Sequence, residues 1–158
     1  MSFTLQPASA AHFAALLAGQ APEPGITMPT TALSGEGVVA MLAGLAESIR
    51  PQFDPCAWLV LDGDRLVGLL SLVSAPSGGT VGIGYGIAPS ERGRGAATGA
   101  VAAFVEWARS DPRVQVVEAE TRIDNRPSQR ALEANGFIRV GGRTDEEDGA
   151  VFSWQLEC

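Results

Sequence analysis

Lysine is missing from this 158-residue chain: all eleven basic side chains are arginine. That excludes the phosphate loop closing on Gly-Lys-Ser/Thr and any chemistry built on a lysine Schiff base. Cysteine is scarce as well. Cys56 and Cys158 make no disulfide framework, and with the single histidine, His12, they are too few for a structural zinc site, so no metal is expected. No apolar run reaches the roughly 18 residues of a membrane helix. The opening "MSFTLQPASAAHF" lacks the basic start and apolar centre of a signal peptide. A soluble, cytoplasmic protein without a membrane partner is the simplest reading. The net charge of −7 and the absence of a basic stripe argue against a nucleic-acid partner. An acidic surface favours cationic partners instead.

What is present is enough for a core: 46% of the residues are hydrophobic. The length fits one domain. "SFTLQPA" reads as a strand. "SAAHFAALLAGQ" follows as a helix, with Ser9 at its N-cap and Phe13, Leu16 and Leu17 on one face. The segment "SGEGVVAMLAGLAESI" sets Val38, Met41, Leu42, Leu45 and Ile49 at helical spacing. The period then changes to two. "CAWLVL" and "RLVGLLSLVS" read as strands joined at "DGD". In "TVGIGYGIA", Val81, Ile83, Tyr85 and Ile87 point one way and Gly82, Gly84, Gly86 and Ala88 the other. A strand face of glycines lets another group approach closely. A helix with Val101, Phe104, Val105 and Ala108 in one stripe follows, then the strand "VQVVEAET". The helix in "DNRPSQRALEANGF" has Pro127 in its first turn and Gly136 at its end. "FIRVGG" and "AVFSWQLE" close the chain around the acidic turn "RTDEEDG". A meander leading into one β-α-β crossover is a mixed α/β or α+β domain.

The stretch "SERGRGAATGA" lies between a strand and a helix. Glycine N–H groups and the first turn of a helix together form an anion site, with Arg92 and Arg94 at its rim. Phosphate is the expected anion. Gly93, Gly95 and Gly99 resemble a dinucleotide fingerprint, and Glu118 and Glu120 fall near the position of a ribose contact. Yet the turn follows several strands, "PSER" delays the first glycine, and little chain remains after Glu120 for a dinucleotide domain.

The motif "RGRGAA" fits Arg/Gln-x-x-Gly-x-Gly/Ala, with Arg92, Gly95 and Ala97 at the key positions. "NRPSQRALEANGF" adds Asn-x-x-Ser/Ala followed by Gly-Phe. Together these resemble the GCN5-related N-acetyltransferase (GNAT) family, most closely its branch acting on ribosomal-protein N-termini. The resemblance covers residues 56–156 well and is looser over the first 50. It implies a mostly antiparallel sheet of about seven strands with one splayed parallel pair, flanked by about four helices. On this reading residues 1–158 form a single domain. Residues 1–50 border the acceptor and 56–156 hold acetyl-CoA.

The resemblance also implies roles. Main-chain groups of Ile87 and Ala88 would hold the pantetheine arm as an added strand would. Arg92, Gly93, Arg94, Gly95, Ala96 and Ala97 would hold the pyrophosphate. Asn125 would contact the cofactor or cap its helix. Attack of a neutral amine on a thioester needs a base and a leaving-group acid. Glu120, with Glu118 as the alternative, is the base candidate, and a solvated strand face is the competing account of both. Many family members carry a tyrosine acid at the position of Leu132. Ser128, one turn earlier, is the replacement, and Tyr85 is either a further catalytic group or a packing residue. The acceptor would be a small-molecule amine or a peptide N-terminus. Asp145, Glu146, Glu147 and Asp148 would attract it or form a solvated hairpin tip. The closing strands could also pair two copies into a homodimer. A non-catalytic acyl-CoA-binding module is the alternative function, and a dinucleotide-dependent oxidoreductase ranks third.

Overall fold

The computed structural model describes residues 2–158. Strand β1 (Phe3–Pro7) leads to helix α1 (Ala10–Leu17). Ser9 caps α1: its hydroxyl accepts from the His12 N–H, and His12 returns the bond to the Ser9 N–H, a reciprocal capping box. Helix α2 (Val38–Ile49) follows a proline-rich loop. Strands β2 (Ala57–Asp62) and β3 (Arg65–Leu72) meet in a two-residue hairpin. Gly63 takes φ +62° at its first central position while no non-glycine residue among the described residues has positive φ, which makes the turn type II′. Strand β4 (Thr80–Ile87), helix α3 (Ala96–Ser110), strand β5 (Val116–Arg122) and helix α4 (Arg126–Ala134) form the crossover region. Strands β6 (Ile138–Asp145) and β7 (Gly149–Glu157) close the sheet.

The seven strands lie in the order β1-β2-β3-β4-β5-β7-β6, and every neighbouring pair is antiparallel except β4 and β5. This is the mixed α/β arrangement expected, and it is incompatible with a doubly wound dinucleotide sheet, whose strands run parallel. Val81 and Ile83 on β4 and Val117 and Ala119 on β5 are buried on one face, beneath the stripe of Ala100, Val101, Phe104, Val105 and Ala108 on α3. An aromatic cluster extends this core: Trp58 lies 5.2 Å from Phe104 and 5.1 Å from Trp107, edge-on to both.

Gly99 serves packing, separately from the turn that precedes it. A Cβ there would come within 2.5 Å of the Phe3 ring, so glycine lets α3 lie directly on β1. The stripe on α2 is covered only at one end. Ile49 is buried, but Met41 is 60% exposed and Val38, Leu42 and Leu45 are only half-buried. They form the wall of a cleft, with Leu42 and Leu45 also packed against the edge of the core. The closing turn is also shorter than "RTDEEDG" suggests, because Arg143, Thr144 and Asp145 belong to β6. Asp145 fixes it by accepting the N–H groups of Glu147 and Asp148 at 2.8 and 3.0 Å. Among the described residues, no helix is long and apolar enough to cross a membrane.

Candidate active site

The parallel pairing of β4 with β5 runs only from Thr80↔Val116 to Ile83↔Ala119. Beyond it the strands part. β4 stays bonded to β3, for Ala88 donates its N–H to the Val67 carbonyl at 2.9 Å and Gly82 accepts from Val73 at 2.9 Å. Main-chain groups two residues apart in such a ladder turn to the same neighbour. Gly82, Gly84, Gly86 and Ala88 therefore address β3, while Tyr85 and Ile87 address the gap. This corrects the expectation for Ala88, whose N–H is spent inside the sheet. The Ile87 carbonyl accepts from Arg92 Nε at 3.2 Å.

The gap has two faces. Gly82 pairs with Glu118, so the glycine face of β4 is the face of Glu118 and Glu120. These carboxylates border a cleft of about 720 Å³ together with Arg143, Asp148 and Trp154. Arg143 grips Glu120 in a two-pronged ion pair, Nε at 2.6 Å and Nη2 at 2.7 Å. The pair holds the guanidinium in its charged form well above the ordinary arginine range. Arg143 also reaches Asp145 at 3.1 Å, and Gln155 donates to Glu118 at 3.1 Å. Sequence reasoning missed Arg143. A bulge at Val140 shifts the β6–β7 register, so that Gly141 faces Ser153, which itself faces Glu120. Two residues on, Arg143 falls on the same face. Without the bulge it would point to the opposite side.

The other face carries hydroxyls. Tyr85 Oη lies 2.8 Å from Ser128 Oγ, joining the free part of β4 to the first turn of α4. Burial pushes the Tyr85 phenol above its ordinary pKa, with the Ser128 hydrogen bond a smaller, opposing influence. Tyr85 is thus protonated at neutral pH. Asn125 caps α4 by accepting the Ser128 N–H at 3.2 Å. The buried Gln129 ties α4 to the end of β5 through the carbonyls of Arg122 and Ile123, at 3.1 and 3.0 Å. Leu132, at the position of the family tyrosine, is fully buried.

The glycine turn lies at the N-terminus of α3. Gly93 and Gly95 take φ +79° and +81°, and a Cβ at either would meet nothing within 4 Å. Glycine is needed here for its conformation, and the space in front of the turn is open. No side chain caps α3, and the N–H groups of residues 93–98 have no acceptor among the described residues. Open space and several undirected donors fit a pyrophosphate. Arg92 is exposed. Arg94 turns inward and pairs with the buried Glu91, which Arg65 also contacts at 3.0 Å. Its charge braces the turn more than it lines the rim. His12 hydrogen-bonds Glu23 at 2.6 Å, away from these groups, and Cys56 is buried with its thiol pKa raised by that burial.

Residues 2–138 match the acetyltransferase (GNAT) domain family. This chain belongs to the GNAT acetyltransferases. It is an acetyl-CoA-dependent N-acetyltransferase by family. No curated protein sequence is a significant match. Solved structures similar in fold include an aminoglycoside acetyltransferase, AAC(6')-Ib, in complex with coenzyme A. It is 20% identical, with TM-score 0.69 over 99% of this chain and 95% of that one. The RimL ribosomal L7/L12 α-N-protein acetyltransferase with coenzyme A is 18% identical, with TM-score 0.70 over 99% and 94%. Mycobacterium smegmatis RimJ with CoA-disulfide is 22% identical, with TM-score 0.71 over 99% and 82%.

Proposed function

We propose that this GNAT protein acetylates a primary amine, on a small molecule or a protein N-terminus, by direct attack within a ternary complex. One observation carries the reading. The gap between β4 and β5 opens just past Ile83 and Ala119, with a carboxylate on one face and a hydroxyl pair on the other. That is the layout two-sided proton transfer requires. AAC(6')-Ib and RimL, named for aminoglycoside and protein α-amine acetylation, support an amine acceptor.

The N–H groups of residues 93–97, with Arg92 at the edge, hold the pyrophosphate. The main-chain groups of Tyr85 and the N–H of Ile87 hold the pantetheine arm as an added strand would. When bound, acetyl-CoA supplies a thioester acetyl group open to a neutral amine. Glu120 takes the ammonium proton, directly or through water, while Arg143 fixes the carboxylate's orientation. Tyr85, hydrogen-bonded to Ser128 Oγ, would hold the serine hydroxyl in place to offer a hydrogen to the departing sulfur. Holding both reactants in line supplies much of the rate. Residues 1–158 act as one domain. The two unpaired cysteines, Cys56 and Cys158, suit a cytoplasmic location.

The test is initial-rate kinetics with both substrates varied. Intersecting lines, and no acetylated protein after incubation with acetyl-CoA alone, are expected. Parallel lines with an acetyl group on the enzyme would overturn direct attack. Glu120→Gln should lower kcat by about a hundredfold, in the range of a lost general base.

A further inference from the structure

A second cleft, of about 710 Å³, lies on the glycine face beneath α2. Val38, Met41, Leu42 and Leu45 form one wall, and Leu69 and Val73 stand opposite. None of the side chains lining it is ionised. It contrasts with the neighbouring cleft, which holds Glu118, Glu120, Arg143 and Asp148. The two meet at Gly84 and Val73, which line both. Gly84 is the first β4 residue past the last β4–β5 pair, so the junction lies at the mouth of the gap. Val73 is the partition. It is 51% exposed, and its methyl groups lie across β4, 3.0 and 3.2 Å from where a Cβ on Gly82 or Gly84 would stand.

A hydrocarbon wall is costly to leave in water, and an apolar group laid against it recovers part of that cost. A polycationic acceptor would find no counter-charge there, and desolvating its amines would be unfavourable. Resting on the acetyltransferase reading, we propose that this cleft receives the apolar body of the acceptor. The substrate is then a primary amine on a hydrocarbon group, its nitrogen passing Val73 to reach Glu120. Two sources present that chemistry: a free alkyl or arylalkyl amine, and a peptide whose first side chain is large and apolar. Val73 sets the length that fits between cleft and gap.

Coenzyme A release is measured with 4-phenylbutylamine, a tripeptide beginning with leucine, a tripeptide beginning with serine, and kanamycin. In parallel, 4-phenylbutylamine and the leucine tripeptide are titrated calorimetrically into the protein without acetyl-CoA. The expected result is kcat/KM at least tenfold higher for one or both apolar acceptors, the stronger one identifying the source. Met41→Asp lies in the first turn of α2, where a carboxylate suits the helix dipole, so the fold should tolerate it. It should weaken amine binding at least tenfold and leave acetyl-CoA affinity unaltered. Val73→Ala should move the preference towards bulkier amines. Preference for kanamycin or the serine peptide, with Met41→Asp indifferent, overturns this inference and leaves acetyl transfer standing. Tight amine binding that Met41→Asp abolishes, with no transfer to any acceptor, supports the cleft's chemistry and sinks the transferase reading instead.

Discussion

Gly95 offers a perturbation whose two effects are separable. Its φ of +81° lies in the left-handed region, and a Cβ there meets nothing within 4 Å. Gly95→Val therefore strains the backbone without a clash, at about 1–2 kcal/mol. For a chain of this size that lowers Tm by about 2–8 °C. The new side chain projects into the open space where residues 93–98 present their N–H groups. A ligand at a hundredfold excess over its Kd stabilises by about 2.7 kcal/mol, which is a rise of about 5–11 °C. If the valine weakens acetyl-CoA a hundredfold, the same concentration gives only RT ln 2, about 0.4 kcal/mol and a rise of about 1–2 °C. Gly19→Val is the control. Gly19 has φ +74°, equally open surroundings and a place at the far end of α1. It should lose the same Tm and keep the full acetyl-CoA shift. Thermal unfolding by fluorescence, with NADH as the negative ligand, reads both. A Gly95→Val protein that keeps the full acetyl-CoA shift would refute the cradle.

Three further outcomes follow from the same geometry. Phe104 is fully buried against Trp58 and Trp107, so Phe104→Ala should cost about 3–5 kcal/mol in urea unfolding. Ser128→Ala should lower kcat by about a hundredfold with little change in the KM for acetyl-CoA, and an unchanged kcat would mean that thiolate leaves unaided. Tyr85 is the chain's only tyrosine, so absorbance at alkaline pH reports its ionisation without interference from another phenol. Because the folded pKa is raised, the folded state keeps its proton longer than the unfolded chain does. Stability from this group is complete below about pH 10 and is lost as pH rises through the folded value, and Tyr85→Phe should flatten that decline.

Much of this architecture is legible in the sequence because local rules dictate it. The Ser9 cap, the alternation along β4 and the stripe on α3 depend on residues within one or two turns of each other. The conformation of the glycine turn is local in the same sense, since the positive φ of Gly93 and Gly95 is a demand of those residues alone. What the sequence leaves hidden is set across the sheet. Arg143 meets Glu120 only because a bulge at Val140 resets a register between strands, and no periodicity within β6 announces it. Gly99 looks like part of a phosphate loop until Phe3, far away in the chain, is seen against it. The α2 stripe has a core-like pattern because spacing reports which residues share a face, and says nothing of whether another element covers that face.

The most direct test of the account follows the acetyl group itself. The protein is incubated with isotopically labelled acetyl-CoA and a primary amine, and both acetylated amine and free CoA thiol are quantified by mass spectrometry. The account predicts equal amounts of the two, both dependent on the amine and both suppressed together by Glu120→Gln. Saturable acetyl-CoA binding with no labelled product from any amine would contradict it, and would identify the gap between β4 and β5 as a site that binds acyl-CoA without transferring its acyl group.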